Sequence, residues 1–129
     1  MNIEIAIKEA YKELKNNQIE SALLDCELLL STVIKKDRKF ILLNPDKELN
    51  QNDQDNFKDL ILKRSRGKPL AYLMGIKSFW KYDFKVNEKV LIPRPDTEII
   101  IEQVLKIYKN KDYLKFLEVG VGSGCIALS

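Results

Sequence analysis

A cluster of glycines at residues 120–124 has the residue types and the spacing of a ligand-binding loop. The chain contains only five glycines, and three of them, Gly120, Gly122 and Gly124, stand at alternate positions just after the acid Glu118. Because glycine has no Cβ, such a loop lets the backbone approach a bound molecule closely, while the helix that follows offers its free N–H groups to carboxylate or hydroxyl oxygens. The pattern predicts a small-molecule binding loop between a strand and a helix.

The spacing disfavours two common nucleotide-binding loops. A dinucleotide fingerprint has glycine or alanine three residues after its second glycine, and Cys125 occupies that position. A P-loop ends in Gly-Lys-Ser or Gly-Lys-Thr, and neither follows here. Two interpretations stay open, a loop for another cofactor and a tight structural turn in which Glu118 only caps the turn.

The residues that the chain lacks narrow its chemistry further. It contains no histidine, which removes imidazole bases and most zinc or iron sites. Cys26 and Cys125 are far apart and form no CxxC pair, so we expect reduced thiols, with Cys26 packed in a core, and no metal. Any catalysis would have to use carboxylates, amides or backbone groups.

Charge and hydropathy indicate a cytoplasmic protein. The net charge is +3, and the bases at residues 35–39 alternate with acid, which is typical of a solvated helical surface and not of a nucleic-acid interface. No apolar run approaches the roughly 20 residues that a bilayer requires, and the N-terminus carries Glu4 where a signal peptide carries base. We expect a monomer that contacts neither membrane nor nucleic acid directly, with at most a weak preference for an acidic partner.

The elements ahead of the glycine loop begin with helices. Apolar residues recur at helical spacing over residues 3–14 and 21–33, with a polar break between them. A short helix is predicted at residues 40–43, and Asn50 is predicted to cap another that ends before Gly67. The positions predicted to face the core are Ile3, Ile7, Ala10, Tyr11, Leu14, Ala22, Leu24, Leu28, Leu29, Val33, Phe57, Leu60 and Ile61.

Extended chain is predicted after Gly75. Residues 78–80 and 84–86 indicate a β-hairpin with its turn at residues 81–83. Its aromatic residues are expected to pack rather than to stack on a substrate; they are Phe79, Trp80 and Phe84.

A helix and a strand are predicted to lead into the glycine loop. Asp96 or Thr97 can cap the helix, which should end near Asn110. Residues 113–119 form an apolar run typical of a strand buried in a parallel sheet. The predicted inner face of the helix consists of Ile100, Ile101, Val104, Leu105 and Tyr108.

Residues 118–124 resemble the first motif of Rossmann-like methyltransferases, an acid followed by alternating glycines. The resemblance implies that the cofactor is S-adenosyl-L-methionine and that Glu118 lies near its cationic amine. It places a run of five residues beneath the methionyl and adenosyl parts of the cofactor: Gly120, Val121, Gly122, Ser123 and Gly124.

A second stretch narrows the class. Residues 67–75, Phe79, 84–86 and 90–98 resemble the signature that precedes the catalytic domain of the HemK-type peptide-chain release factor glutamine methyltransferases. The related ribosomal-protein glutamine methyltransferases tend to depart from the Pro-Arg-Pro-acid-Thr-Glu string, which is intact at residues 93–98. The resemblance extends over essentially the whole chain. It implies N5-methylation of the glutamine in the Gly-Gly-Gln motif of release factors, with the helical domain contacting the release factor.

Arg94 and Glu98 belong to that string, and the resemblance implies that they help to close the cofactor pocket. A structural interpretation carries equal weight. The two prolines fix an extended approach to a helix, and acids in its first turn favour the helix dipole.

The family pattern continues with a second acid and an Asn-Pro-Pro-Tyr loop, and neither occurs in these residues. That loop orients the target amide, whose nitrogen is a poor nucleophile. We therefore expect a chain ending at Ser129 to bind release factor without catalysis and to bind S-adenosyl-L-methionine weakly or not at all. Residues after about Asn110 should be poorly ordered or packed unlike the family, because the strand at 113–119 lacks partners.

The predicted architecture is a mainly α N-terminal helical bundle (1–75), a β-hairpin linker (76–92) and the incomplete start of a Rossmann-like α/β methyltransferase domain (93–129). Two other functions stay open. One is a stand-alone, noncatalytic helical interaction module, and the other is part of a nucleic-acid amino-methyltransferase.

Overall fold

The computed structural model describes residues 1–129, with seven α-helices and one two-stranded sheet. Its contacts divide the chain into two compact units, Met1–Met74 and Gly75–Ser129. None of the seven helices has both the length and the apolar composition that crossing a membrane requires.

The first unit is a bundle of helices whose starts are fixed by polar side chains. Asn2 caps the first helix, Asp37 the third and Asn50 the fourth, each by accepting a hydrogen bond from a backbone N–H three residues on, at 2.8–2.9 Å. The cap at Asn50 and the short helix before it confirm the predictions. The helices are α1 (Ile3–Asn16), α2 (Ala22–Ile34), α3 (Arg38–Leu43), α4 (Gln51–Ser65) and α5 (Leu70–Met74).

The core of this unit lies where α1, α2 and α4 pack against one another. The buried residues are Ile3, Ala6, Ala10, Leu14, Ala22, Cys26, Leu29, Leu30, Ile41, Leu49, Phe57 and Ile61. The predicted core is confirmed at most positions, including Cys26, but it is wrong at Tyr11 and Leu24, which are exposed. Because α2 carries leucines on every side, its sequence period does not select one buried face.

The second unit begins with the hairpin, β1 (Ile76–Phe79) and β2 (Tyr82–Lys85), paired antiparallel with Phe79 opposite Tyr82. The hairpin is confirmed, but its predicted turn at residues 81–83 is wrong, since Trp80 and Lys81 make the turn. Trp80 has a φ of +56°, a left-handed conformation that few non-glycine residues adopt. No Asn-Gly or Asp-Gly pair marks this turn in the sequence.

A 3-10 turn at Pro95–Thr97 leads into α6 (Glu98–Tyr108). The predicted side-chain cap at Asp96 or Thr97 is wrong, because no side chain caps either element; instead the Thr97 N–H donates to the Arg94 carbonyl at 3.1 Å. The Pro-fixed backbone makes the turn without such a cap.

The predicted inner face of α6 is largely wrong. Ile101 alone is buried on this helix, in a small cluster with Phe79 and Phe84. The hairpin offers too little surface to cover a second row of apolar residues. Ile100, Leu105 and Tyr108 are therefore exposed.

Residues 113–119 form no strand, which corrects the expected strand before the glycine loop. The only sheet consists of β1 and β2, so this segment has no neighbour to take up its backbone hydrogen bonds. Leu117 and Val119 are at least 90% exposed. The loop itself is followed by a single helical turn, α7 (Cys125–Leu128).

Candidate functional site

The glycine loop has the backbone that its sequence predicts. Gly120, Gly122 and Gly124 have φ angles of +73°, +60° and +80°, all in the left-handed region where a Cβ is strained. A Cβ on Gly124 would also lie 3.2 Å from Leu128 Cδ1. Three successive turns of the backbone therefore require glycine, and the last of them begins α7.

Two polar atoms in the same loop are buried without a protein partner. These are Glu118 Oε2 and Ser123 Oγ. A buried carboxylate or hydroxyl without a hydrogen bond costs about 1–3 kcal/mol, so native structures seldom keep one without a reason. A ligand with an ammonium group and hydroxyl or carboxylate groups would satisfy both atoms.

These residues fit the methionyl end of S-adenosyl-L-methionine. That molecule presents an ammonium group for Glu118 Oε2 and hydrogen-bonding oxygens for Ser123 Oγ. Gly120, Val121 and Gly122 stay exposed, so a bound molecule would have access to the loop backbone. The loop thus combines an unpaired acid, an unpaired hydroxyl and glycines that leave room for a ligand.

Glu98 holds the hairpin against α6. Its Oε1 accepts a hydrogen bond from the Trp80 N–H at 2.7 Å, which fixes the left-handed residue of the turn to the first residue of the helix. Arg94 has an exposed side chain and contributes its carbonyl to the 3-10 turn. Both residues thus have structural contacts, and their role at a cofactor pocket stays a prediction.

Two buried carboxylates in the first unit were missed by the sequence prediction. Asp25 and Glu27 lie on α2 with side chains only 3% and 6% exposed. Arg64 Nε donates to Asp25 Oδ2 at 2.8 Å, and Arg38 Nε donates to Glu27 Oε2 at 2.5 Å. The available signal was two acids inside an apolar run. Each acid is paired with an arginine, so these groups bind the helices together and do not form an acid–base couple.

Cys26 lies between those two acids and is fully buried. Burial, and after it the negative charges of Asp25 and Glu27, together raise the pKa of its thiol from 9.0 to about 12. The thiol therefore stays protonated near neutral pH and does not act as a nucleophile. No group of three or more His, Cys, Asp or Glu side chains is arranged to hold a metal ion.

The family model of the PrmC N-terminal domain matches residues 6–75, more than half of the chain. The chain therefore belongs to the PrmC N-terminal domain family. This match covers the helical unit from residue 6 and ends at Gly75, the first residue of the second unit.

Curated relatives match over nearly the whole chain. The release factor glutamine methyltransferase of Clostridium botulinum is 42% identical over 121 residues, which cover 94% of this chain and 43% of the relative. That of Buchnera aphidicola subsp. Schizaphis graminum is 40% identical over 129 residues, covering 100% and 46%. A bifunctional methyltransferase of Rickettsia felis is 34% identical over 155 residues, covering 99% and 29%.

The chain thus spans less than half the length of these relatives. The resemblance to release factor glutamine methyltransferases inferred from residues 67–75, 79, 84–86 and 90–98 is confirmed.

Proposed function

We propose that this chain is the N-terminal part of an S-adenosyl-L-methionine-dependent methyltransferase, and that this enzyme N5-methylates the glutamine in the Gly-Gly-Gln motif of peptide-chain release factors. The observation that carries the proposal is the similarity, at 38–42% identity and over 94–100% of this chain, to relatives named release factor glutamine methyltransferases. The loop geometry at residues 118–124 supports it independently, because its unpaired atoms fit the cofactor.

Each segment has a proposed task. Residues 1–75 recognise the release factor, and residues 93–129 begin the methyltransferase domain. Residues 76–92 link these two parts. Glu118 holds the cationic amine of the cofactor, and the loop from Gly120 to Gly124 lies beneath its methionyl and adenosyl parts. Arg94 and Glu98 help to close the pocket from the side of the 3-10 turn.

The bound cofactor supplies an electrophilic methyl group on a sulfonium. The residues of this chain contribute binding and orientation, because a carboxylate and backbone N–H groups fix a charged ligand more firmly than mobile water does. The amide nitrogen of glutamine is a weak nucleophile and needs hydrogen-bond acceptors that aim it. No residue assigned above does this, so we propose that a polypeptide of these 129 residues binds release factor without methylating it and binds the cofactor weakly or not at all.

The proposed substrate places the protein in the cytoplasm, where translation ends. We propose that it acts as a monomer and that it contacts release factor directly, without a nucleic-acid intermediary.

A chimera tests the proposed function. Residues 1–129 are joined to the part of the Clostridium botulinum relative that follows its matched region, and the release factor of the same organism is the substrate. Mass spectrometry should show a gain of one CH₂ on the glutamine of the Gly-Gly-Gln motif. The control is the unmodified relative, and the 129-residue polypeptide assayed in parallel should leave the mass unchanged.

A folded chimera that binds the cofactor but leaves the release factor unmethylated would contradict the proposed substrate. Methylation of the release factor by the 129 residues alone would contradict their proposed lack of turnover.

A further inference from the structure

A groove on the first unit combines an apolar floor with a row of lysines. It lies between α1 and the start of α2, is open to solvent and has a volume of about 620 Å³. Ile7, Tyr11 and Leu23 form its apolar part. Its charged residues are Lys8, Lys12, Lys15 and Glu20. We refer to it as the lysine groove.

The lysines follow one stripe of α1. They are spaced four and three residues apart, so they lie on one side of the helix and cover about 10 Å along its axis at 1.5 Å per residue. Lys8 pairs with Glu4 at 2.8 Å, but both side chains are at least half exposed and such a pair is weak. Lys12 and Lys15 are exposed and form no ion pair, so the groove keeps a positive wall.

The floor is apolar and open to solvent. Leu23 is 51% exposed and Tyr11 38%, although the core of the same unit is closed. Covering an exposed apolar floor with a partner favours binding by roughly 25 cal/mol for each Å² of apolar surface buried. A lysine wall beside it selects a partner that also carries acids.

We propose that the lysine groove binds an acidic amphipathic helix of the release factor, an inference that rests on the proposed function. A helix with acidic residues at i, i+4 and i+7 matches the lysine stripe, and the apolar residues beside its acids reach Ile7, Tyr11 and Leu23. A phosphate backbone would use the lysines but would gain nothing from the aliphatic side chains of Ile7 and Leu23. The groove therefore sets which surface of the release factor the helical unit holds.

Isothermal titration calorimetry with the Clostridium botulinum release factor tests this inference. The variant K12E/K15E should bind at least about tenfold more weakly, because two attractions become repulsions. The control K35E/K39E makes the same charge change at the C-terminal end of α2 and in α3, outside the groove, and should bind as the unchanged chain does.

A second pair of variants tests the floor. Leu23→Ala should weaken binding about fivefold, since apolar contact is lost. Leu24→Ala is the matched control, because Leu24 is 43% exposed and lies outside the groove. All four variants change exposed residues, and circular dichroism shows whether each keeps its helices.

The outcomes separate the two proposals. If the unchanged chain binds release factor and both K12E/K15E and Leu23→Ala bind equally well, the groove is not the binding surface, while the proposed function stands. If the unchanged chain binds no release factor, both fail. If K12E/K15E loses affinity for polyuridylic acid and not for release factor, the groove is a nucleic-acid site and the inference is overturned.

Discussion

Arg64 donates a hydrogen bond to Asp25 across the interface between α4 and α2, with 2.8 Å between Nε and Oδ2. The second donor group of Arg64 reaches the carbonyl of Lys68 at 3.1 Å, so one guanidinium joins α2, α4 and the segment that follows Gly67. The Asp25 side chain is only 3% exposed, so it has lost nearly all of its hydration. A carboxylate in that position depends on its partner much more than a surface carboxylate does.

Arg64→Met should lower the free energy of unfolding by about 3 kcal/mol, because it leaves the Asp25 carboxylate buried and unpaired. Lys63→Met is the matched control. Lys63 pairs with Asp59 at 2.7 Å, but both side chains are about half exposed, so its loss should cost less than about 1 kcal/mol. Urea unfolding followed by circular dichroism measures both. Equal losses in the two variants would show that the buried pair is no more important than the exposed one.

Cys26 should make the protein less stable at alkaline pH. Its thiol has a pKa of about 12 when folded and near 9.0 when unfolded, so between these values the unfolded chain binds fewer protons. The contribution of this thiol to the free energy of unfolding is fully present below pH 9.0. It falls as the pH rises, by no more than about 1.4 kcal/mol per pH unit. Cys26→Ala should lose less stability than the unchanged chain between about pH 9 and about pH 11 in urea titrations. Parallel losses in the two proteins would refute the assignment.

Glu98→Ala should release the turn of the hairpin. The Trp80 N–H would lose its carboxylate acceptor, and a hydrogen bond to a charged group contributes about 1.5–3 kcal/mol, or at least about tenfold in amide exchange. Hydrogen exchange of the Trp80 amide, followed by NMR, should therefore accelerate. Glu102→Ala removes an exposed acid from the same helix and should leave the Trp80 amide unchanged. An unaltered exchange rate in Glu98→Ala would mean that the carboxylate does not hold the turn.

Glu118→Gln in the chimera should raise the KM for S-adenosyl-L-methionine at least about tenfold, since a hydrogen bond to a charged group contributes about 1.5–3 kcal/mol. In the proposed arrangement the acid binds the cofactor and does not touch the glutamine, so kcat should change much less. Glu102→Gln serves as the control for loss of one negative charge. A fall in kcat with an unchanged KM would remove Glu118 from cofactor binding.

Local signals in the sequence predict the helical unit well. The cap residue Asn50 and the period of α1 depend on neighbours three or four positions away, and these contacts form within one helix. The glycines at 120, 122 and 124 predict left-handed backbone, because that preference is a property of glycine itself.

Contacts between residues far apart in the sequence could not be predicted from it. The partners of Asp25 and Glu27 lie 39 and 11 residues away, and no local pattern pairs them. The left-handed residue Trp80 donates its N–H to Glu98, 18 residues on, a partner that no local pattern indicates. Residues 113–119 have the apolar composition of a strand, but a strand forms only beside another, and composition does not supply one.

The two arginine pairs also determine how α2 is rotated about its axis. Leu29 and Leu30 are buried while Leu23 and Leu24 stay exposed, so leucines stand on all sides and hydrophobic burial alone distinguishes poorly between rotations. The observed rotation brings Asp25 to Arg64 and Glu27 to Arg38 at the same time. Orientation information that most helices carry in their apolar stripe is carried in α2 by two charges, and that rotation also leaves Leu23 outside, on the floor of the lysine groove.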